Sequence, residues 1–205
     1  MSSGSDRIVC VILAAGAALR YGTQKLTEQI GSQSLIEHAL AAAHGLQTIV
    51  VAAPSLAAHI ATAHGRTIVV NAHPEAGMSR SLQLADRLVP VHAAIAVLLA
   101  DMPNVDAALL ARIAAAYGSD VDIVDPRAGP LPAHPVIFGP LARARIAALP
   151  RGDTLRELRG APDLRRRTLE LSDPAMALDV DRPADLARAP RSPSSRGTIG
   201  PTSKL

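Results

Sequence analysis

The sequence predicts a three-layer α/β domain, in which a doubly wound, mostly parallel sheet lies between helices. Apolar runs typical of strands alternate with segments whose apolar residues recur at helical spacing. Ala93–Ala100 is apolar at every position, as expected of a central parallel strand covered on both faces. A chain of 205 residues has room for about one such domain. In this fold class the ligand crevice lies at the carboxyl ends of the strands.

The first half of the chain has clear element boundaries. Runs rich in β-branched residues predict strands, and the segments between them carry apolar residues at helical spacing. Gly45 follows the first helix where a C-cap is expected, and Ser79 is expected to N-cap a helix that Pro90 ends. In order, the elements are the strand Arg7–Leu13, the helix Leu35–Ala43, the strand Thr48–Ala53, the helix Leu56–His64, the strand Thr67–Val70, the helix from Ser79 and the strand Ala93–Ala100.

The second half is less regular. Asp106 is expected to cap a helix that runs to Tyr117, and Pro183 fits the first turn of the last helix. The predicted elements after Tyr117 are the strands Val121–Val124 and His134–Phe138, the helices Pro140–Leu149 and Asp153–Arg159, the strands Arg167–Leu171 and Ala177–Val180, and a helix that begins near Asp181.

Composition narrows the class of protein. Hydrophobic residues make up 48%, charged residues 19% and aromatic residues 1%, and the net charge is +3. The dispersed basic residues and the near absence of stacking side chains argue against nucleic-acid binding. No apolar run approaches a membrane span. The single cysteine, Cys10, lies in the first apolar run and is expected to be a small core residue.

The domain is expected to span residues 1–188, followed by a disordered, Pro/Ser/Gly-rich tail at 189–205. The N-terminus lacks the layout of a signal peptide, so we expect a cytoplasmic protein. The final Ser203-Lys204-Leu205 has the form of a peroxisomal address, which would matter only in a eukaryotic source.

The loop after the first strand has the features of a phosphate site. Ala14–Gly16 are small residues that let backbone N–H groups approach phosphate oxygens, and Arg20, Gly22 and Lys25 follow closely. No Gly-Lys-Ser/Thr follows at Walker A spacing, and Ala17, Ala18 and Leu19 stand where a dinucleotide fingerprint needs glycines. An ordinary strand-to-helix turn with surface cations is the alternative.

Three aspartates are candidate metal ligands. Asp101 follows the central strand and so falls in the predicted crevice, where a carboxylate suits Mg²⁺ shared with substrate phosphates. Asp179 and Asp181 alternate on the last predicted strand and would face the same side. The competing roles are a helix cap or a salt bridge for Asp101, and the cap of the last helix for Asp181.

Two further segments are candidates. In Asn71–Leu82, Gly77 allows a close approach, and Ser79 and Ser81 open a helix whose N–H groups could hold an anion or a base. A plain capped helix is equally consistent with this segment. His134 precedes Pro135 and a predicted strand, and a lone histidine in such a place is more often structural than functional.

In this order, these segments resemble the MobA-like nucleotidyltransferase family, most closely its molybdenum cofactor cytidylyltransferase branch. The family loop L-A-A/G-G-x-S-x-R-x-G-x-x-K is matched by Leu13, Ala14, Ala15, Gly16, Arg20, Gly22 and Lys25. Later motifs are matched by Gly77, Met78, Ser81 and Leu82, by Asp101–Pro103, by His134–Phe138, and by Asp179, Asp181, Pro183, Asp185 and Leu186. The resemblance extends over about Arg7–Ala187, which is almost the whole chain except the tail.

The resemblance implies a Rossmann-like nucleotidyltransferase fold and Mg²⁺-dependent transfer of a nucleoside monophosphate from an NTP to a phosphate-bearing acceptor, molybdopterin in this branch. A molybdoenzyme that receives the cofactor would be a partner. Ala15 favours CTP over GTP, because the family loop with alanine at this position tends to accompany CTP. Arg20, Lys25 and Asp101 would be catalytic, Asp101, Asp179 and Asp181 would hold the metal, and His134 would contact the acceptor. The nucleotide would contact Leu13, Ala14, Ala15, Gly16, Arg20, Gly22, Lys25, Asn71, Gly77, Ser81 and Asp101.

This chain departs from the family pattern at three places. Ala18 replaces a serine, Ala133 replaces the glycine before the histidine, and Arg182 replaces a threonine. The nucleotide side is therefore better supported than the acceptor side. A GTP-using guanylyltransferase, an NAD(P)- or flavin-dependent oxidoreductase of Rossmann type and a non-catalytic binding protein remain alternatives.

Overall fold

The computed structural model describes residues 8–16, 25–60, 66–150, 154–181 and 185. The central strands of the main sheet are short runs of mainly β-branched and aliphatic residues, and all of their residues except Leu99 are buried. The strands are β1 Ile8–Ala14, β2 Gln29–Ile30, β3 Gln33–Ser34, β4 Thr48–Ala52, β5 Thr67–Val70, β6 Ala94–Leu99, β7 Ile123–Ala128, β8 Leu131–Pro132, β9 Val136–Phe138 and β10 Arg166–Glu170.

The main sheet has the order β10-β7-β9-β6-β1-β4-β5, and β8 pairs with β7 at its side. The strands β6, β1, β4 and β5 are parallel neighbours, with Val11 of β1 in register with Ile49 and Val97. The strand β9 runs antiparallel to both β6 and β7, whereas β10 is parallel to β7. The mostly parallel α/β fold predicted from the sequence is therefore confirmed.

Helices cover both faces of the sheet. They are α1 Leu35–Ala42, α2 Pro54–Ile60, α3 Met78–Asp86, α4 Ala107–Ala115, α5 Pro140–Arg143 and α6 Thr154–Gly160. Successive residues of β1 point into opposite layers, because side chains alternate along a strand. Cys10 and Ile12 pack with residues of α1, α2 and α4, whereas Val9 and Val11 pack with residues of α3 and α6. Cys10 is fully buried, as expected, and burial raises the pKa of its thiol to about 12.

Arg143 is a buried side chain of α5 whose hydrogen bonds connect α5 to α3 and to the segment that follows α3. Its guanidinium donates to the carboxylate of Asp86 at 2.7 Å and to the carbonyls of Val89, Pro90 and Ala93. The side chain is 5% exposed. One arginine therefore satisfies the carbonyls that α3 and the following turn leave without helical partners.

Several predicted boundaries were wrong. The helix α3 begins at Met78 with Gly77 as its N-cap, at a φ of 86° that favours glycine, so Ser79 lies inside the helix rather than at its cap. The predicted helix Pro140–Leu149 is α-helical only to Arg143 and includes a 3-10 turn at Ile146–Ala148. Asp106 does cap α4, accepting from the Leu109 N–H at 2.8 Å.

The predicted strand Ala177–Val180 does not form. Pro174–Ala177 is a 3-10 turn capped by the Asp173 carboxylate, and the residues up to Asp181 have no regular structure. The backbone of this segment does not form strand hydrogen bonds. Instead, the N–H of Val180 donates to the carbonyl of Asp101 at 2.9 Å. The argument that Asp179 and Asp181 share a strand face is therefore wrong.

Two short hairpins were missed by the sequence analysis. The pair β2–β3 turns at Gly31, whose φ is 66°, and β7–β8 turns at Gly129, whose φ is 60°. The last predicted helix and the tail fall almost wholly outside the described residues. Among the described residues, no helix combines the length and the apolar composition needed to cross a bilayer.

Candidate functional site

A cavity of about 330 Å³ lies at the carboxyl ends of β1 and β6, where a doubly wound sheet is expected to bind its ligand. We call it the first cavity. Ala14 and Ala15 are both 2% exposed. Because their side chains are small, they leave the space above the sheet open. The lining residues are Leu13, Ala14, Ala15, Gly16, Lys25, Leu26, Pro74, Gly77, Met78, Ser81, Leu99, Asp101 and Asp181.

Lys25 is the cation among the described lining residues of the first cavity. Its Nζ donates to Asp101 Oδ2 at 2.8 Å, to the carbonyl of Val180 at 2.8 Å and to Asp181 Oδ1 at 3.4 Å. Asp101 is in place because β6 ends at Leu99, two residues before it. Asp181 is in place because the chain before it docks on the segment after β6, through Val180 N–H to Asp101 O and Asn104 Nδ2 to Ala175 O at 2.8 Å.

The electrostatics of the first cavity are dominated by carboxylates. Burial acts to lower the pKa of Lys25, but the carboxylates of Asp101 and Asp181 outweigh it and hold this pKa above its usual value. The pKa of Asp179 is raised, first by burial and then by the charges of Asp181 and Asp101. Among the described residues, three carboxylates thus lie close enough to influence one another around one ammonium group, and these four groups together carry an excess of negative charge.

The donor set suits a hard divalent cation. Asp101 and Asp181 already face a common cation, the Lys25 ammonium, and Mg²⁺ requires only one or two carboxylates beside phosphate and water oxygens. Within the described ranges, no group of three or more His, Cys, Asp or Glu side chains could hold a metal ion by itself. The assignment of metal ligands therefore stays a prediction, and these two aspartates fit it best.

Asn71 supports the wall of the first cavity from behind. It is 1% exposed and does not line the cavity. Its side-chain amide donates to Ser81 Oγ at 3.0 Å, and its Oδ1 accepts from the His73 N–H at 2.9 Å. Asn71 thus fixes the turn that leads to Gly77 and α3, and its predicted direct contact with nucleotide stays a prediction.

His134 lies in a second cavity, of about 500 Å³, formed by β7, β10, α6 and the segment before β9. Its Nδ1 donates to the carbonyl of Val97 at 3.1 Å, because a carbonyl can only accept. Burial lowers its pKa to about 4, with Arg159 adding to the shift and the Val97 bond and Asp125 opposing it. The ring is therefore neutral at pH 7.

The structure brings most of the predicted site residues together. Leu13, Ala14, Ala15, Gly16, Lys25, Gly77, Ser81, Asp101 and Asp181 all line the first cavity. Asp179 influences it through charge, and His134 lies in the second cavity. Arg20 and Gly22, and with them Ala18, lie outside the described residues. Sequence analysis did not assign roles to Leu26, Pro74, Met78 and Leu99 as lining residues, or to the arginines of the second cavity.

The structure is thus a mostly parallel α/β sheet with a small-residue loop, a cation and carboxylates at its carboxyl edge. The family model of the MobA-like NTP transferase domain matches residues 10–170. The chain therefore belongs to the MobA-like NTP transferase family, a family of nucleotidyltransferases, and the resemblance inferred from the sequence is confirmed. A comparison with curated protein sequences finds no match.

Solved structures have the same fold. The chain is 28% identical to Rv0371c from Mycobacterium tuberculosis, with a TM-score of 0.77, covering 89% of this chain and 96% of that one. A structure of Rv0371c in complex with manganese is 27% identical, with a TM-score of 0.75 and coverage of 89% and 97%. Molybdopterin-guanine dinucleotide biosynthesis protein A from Archaeoglobus fulgidus is 18% identical, with a TM-score of 0.67 and coverage of 88% and 96%. The last likeness concerns the fold alone.

Proposed function

We propose that this protein transfers a nucleoside monophosphate from an NTP, with CTP favoured, to a phosphate-bearing acceptor, and releases pyrophosphate. The observation that carries the proposal is the position of Lys25 between Asp101 and Asp181 in the first cavity. An ammonium group on a long side chain and two carboxylates beside a small-residue loop can accommodate a triphosphate with its counter-ion. The molybdenum cofactor, as molybdopterin, is the acceptor we favour, on the basis of the family.

The triphosphate is expected to lie over Ala14–Gly16, where the backbone can approach it closely. Lys25 would then leave the carboxylates and contact phosphate oxygens, because its long side chain carries a point charge that can be re-aimed. Arg20 and Gly22 extend this loop in sequence, and we propose that they complete the phosphate contacts. Gly77 and Ser81, at the start of α3, are proposed to face the nucleoside.

Asp101 and Asp181 are proposed to hold Mg²⁺, which when bound neutralises charge on the phosphates. The manganese complex of Rv0371c supports a divalent cation in this family. When Lys25 moves to the phosphates, the excess negative charge around Asp101, Asp179 and Asp181 grows, and this excess favours a cation there.

The transfer needs little proton chemistry. An oxygen of the acceptor phosphate forms a bond to the α-phosphorus in line with the bond to the β-phosphate. That bond breaks, and its electron pair leaves with pyrophosphate. A phosphomonoester is already anionic near neutral pH, so no strong general base is required. Positioning and charge neutralisation therefore account for the catalysis expected of this site.

The test is a nucleotide panel. Pyrophosphate release is followed with CTP, GTP, ATP and UTP in the presence of Mg²⁺ and molybdopterin, and nucleotide binding is measured separately by calorimetry. We expect CTP to bind and to turn over, and we expect Asp101→Asn to abolish the Mg²⁺-dependent activity. Asp106→Asn is the matched control, because asparagine also caps a helix and Asp106 lines neither cavity. Failure of every nucleotide to bind would refute the proposal.

A further inference from the structure

The second cavity is lined mainly by basic residues. We call it the arginine-lined cavity, and its volume of about 500 Å³ falls in the range of small-molecule sites. Strands β7 and β10, helix α6 and the segment before β9 supply its walls. The lining residues are Met78, Asp125, Arg127, Pro132, His134, Leu155, Arg156, Arg159, Gly160 and Arg166.

The charges of this lining do not cancel. Among the described lining residues Asp125 is the one carboxylate, and its side chain is 2% exposed. It accepts from Arg159 Nε at 2.7 Å and from Arg127 Nη1 at 3.5 Å. Arg156 and Arg166 add two further guanidinium groups to the same wall, and His134 is neutral. The described lining therefore holds four guanidinium groups and one carboxylate, an excess of positive charge that is the opposite of the balance in the described part of the first cavity.

Other arginines of this Arg-rich chain serve as controls for this observation. Arg165 and Arg167 bond to Asp122 and Asp120, each at 2.9 Å, and neither lines a described cavity. Composition alone therefore does not explain why four arginines converge on one concave surface. The planar guanidinium group binds phosphate through paired hydrogen bonds, so such a surface suits a phosphate-bearing ligand.

The two cavities adjoin. Met78, the first residue of α3, lines both of them. A molecule in the arginine-lined cavity would therefore lie beside a nucleotide in the first cavity. We propose that the arginine-lined cavity is the acceptor subsite, in which Arg127, Arg156 and Arg166 bind the anionic group of the phosphate-bearing acceptor. This assignment rests on the proposed nucleotidyl transfer.

Arg159 has a different role in the same wall. Its Nε holds the buried Asp125, and its Nη2 donates to the carbonyl of Ala133 at 2.6 Å. Ala133 stands where the family has a glycine, and it is fully buried. Arg159 thus fixes the segment that carries His134, and it is a positioning residue.

The test uses phenyl phosphate and pyrophosphate as probes, and CTP with Mg²⁺ as the reference ligand, all measured by calorimetry on the full chain. Arg156→Gln and Arg166→Gln change exposed side chains, so both variants are expected to fold. Each variant should bind phenyl phosphate about tenfold more weakly than the wild type, which is the effect of one charge-assisted contact. Its affinity for CTP should stay within about twofold of the wild-type value. Arg145→Gln, in an exposed pair with Asp163 and outside both cavities, should change neither.

Unchanged phenyl phosphate affinity in both cavity variants would overturn the proposal. Loss of phenyl phosphate binding in Lys25→Met would also overturn the proposal, because the anion would then lie in the first cavity. Pyrophosphate binding more tightly than phenyl phosphate, with the same arginine dependence, would assign the cavity to the leaving group. If phenyl phosphate depends on Arg156 and Arg166 but no nucleotide binds, then the proposed function fails and the cavity is an anion site without a transfer reaction.

Discussion

Replacement of Lys25 by methionine should destabilise the metal-free protein and strengthen its binding of divalent cations. Methionine keeps a long apolar side chain but removes the ammonium group from between Asp101 and Asp181. The side chains of Lys25 and Asp101 are 13% and 22% exposed, so the pair is intermediate between a surface salt bridge and a buried one. An exposed pair contributes up to about 1 kcal/mol, and breaking a buried one costs about 3–5 kcal/mol.

We therefore expect Lys25→Met to lower the free energy of unfolding by about 2 kcal/mol. For a chain of this size that loss corresponds to a decrease of about 4–8 °C in Tm. Mn²⁺ should reverse the loss, because the carboxylates then have no competing ammonium group. At one hundred times its Kd, a ligand specific for the folded state adds about 2.7 kcal/mol.

Thermal unfolding and electron paramagnetic resonance of free Mn²⁺ measure the two effects separately. In the absence of nucleotide, Lys25→Met should bind Mn²⁺ about tenfold more tightly than the wild type, since no internal cation has to be displaced. The same variant should bind CTP more weakly. Equal Mn²⁺ affinity in the two proteins would show that Lys25 does not compete with the metal, and the assignment of Asp101 and Asp181 as metal ligands would then be wrong.

Three further predictions concern single residues. The pKa of His134 is about 4 in the folded state and near 6.5 in the unfolded state. As the pH falls, the unfolded chain therefore binds the proton first, and stability is lost between about pH 6.5 and about pH 4. His134→Asn keeps a donor for the Val97 carbonyl and should reduce this acid-dependent loss of stability by up to about 3 kcal/mol, measured by urea titration at pH 7.5 and 4.5. Replacement of the exposed His92 by Asn is the control and should not reduce the loss. Arg143→Lys should lower the free energy of unfolding by about 2–4 kcal/mol, because lysine cannot reach all its carbonyl partners, and Arg145→Lys should leave Tm unchanged. Ala15→Gly removes a buried methyl group from the first cavity. The affinity for GTP relative to CTP, measured by calorimetry, should rise about tenfold. An unchanged relative affinity would mean that Ala15 does not select the base.

The sequence predicted the parts of the fold and site that depend on local patterns. The predicted strand Ala93–Ala100 is apolar throughout because β6 lies between two layers. Asp101 is in the crevice because it comes two residues after β6 ends at Leu99. The same reasoning placed Ala14–Gly16 correctly. Each of these predictions needs only one element and the rule that ligands bind at the carboxyl ends of parallel strands.

Of the two reasons for selecting Asp181, the family motif and the predicted strand, the second proved wrong. No strand forms before it, and its position depends on hydrogen bonds from Val180 to Asp101 and from Lys25 to Val180. The second of these joins residues 155 positions apart in the sequence. The arginines of the second cavity lie on β7, α6 and β10, and in an Arg-rich chain no single one of them stood out. Such contacts are decided by packing, which a sequence pattern does not encode.

The opposite charges of the two cavities predict different requirements for a metal. In the described lining of the first cavity, two carboxylates face one ammonium group, so a triphosphate must enter with a compensating cation. In the arginine-lined cavity an anion meets guanidinium groups directly. Chelation by EDTA should therefore weaken CTP binding by at least about tenfold and leave phenyl phosphate binding unchanged. If phenyl phosphate also required the metal, the two cavities would share one cation-dependent site, and the separation of nucleotide and acceptor into two charge environments would be refuted.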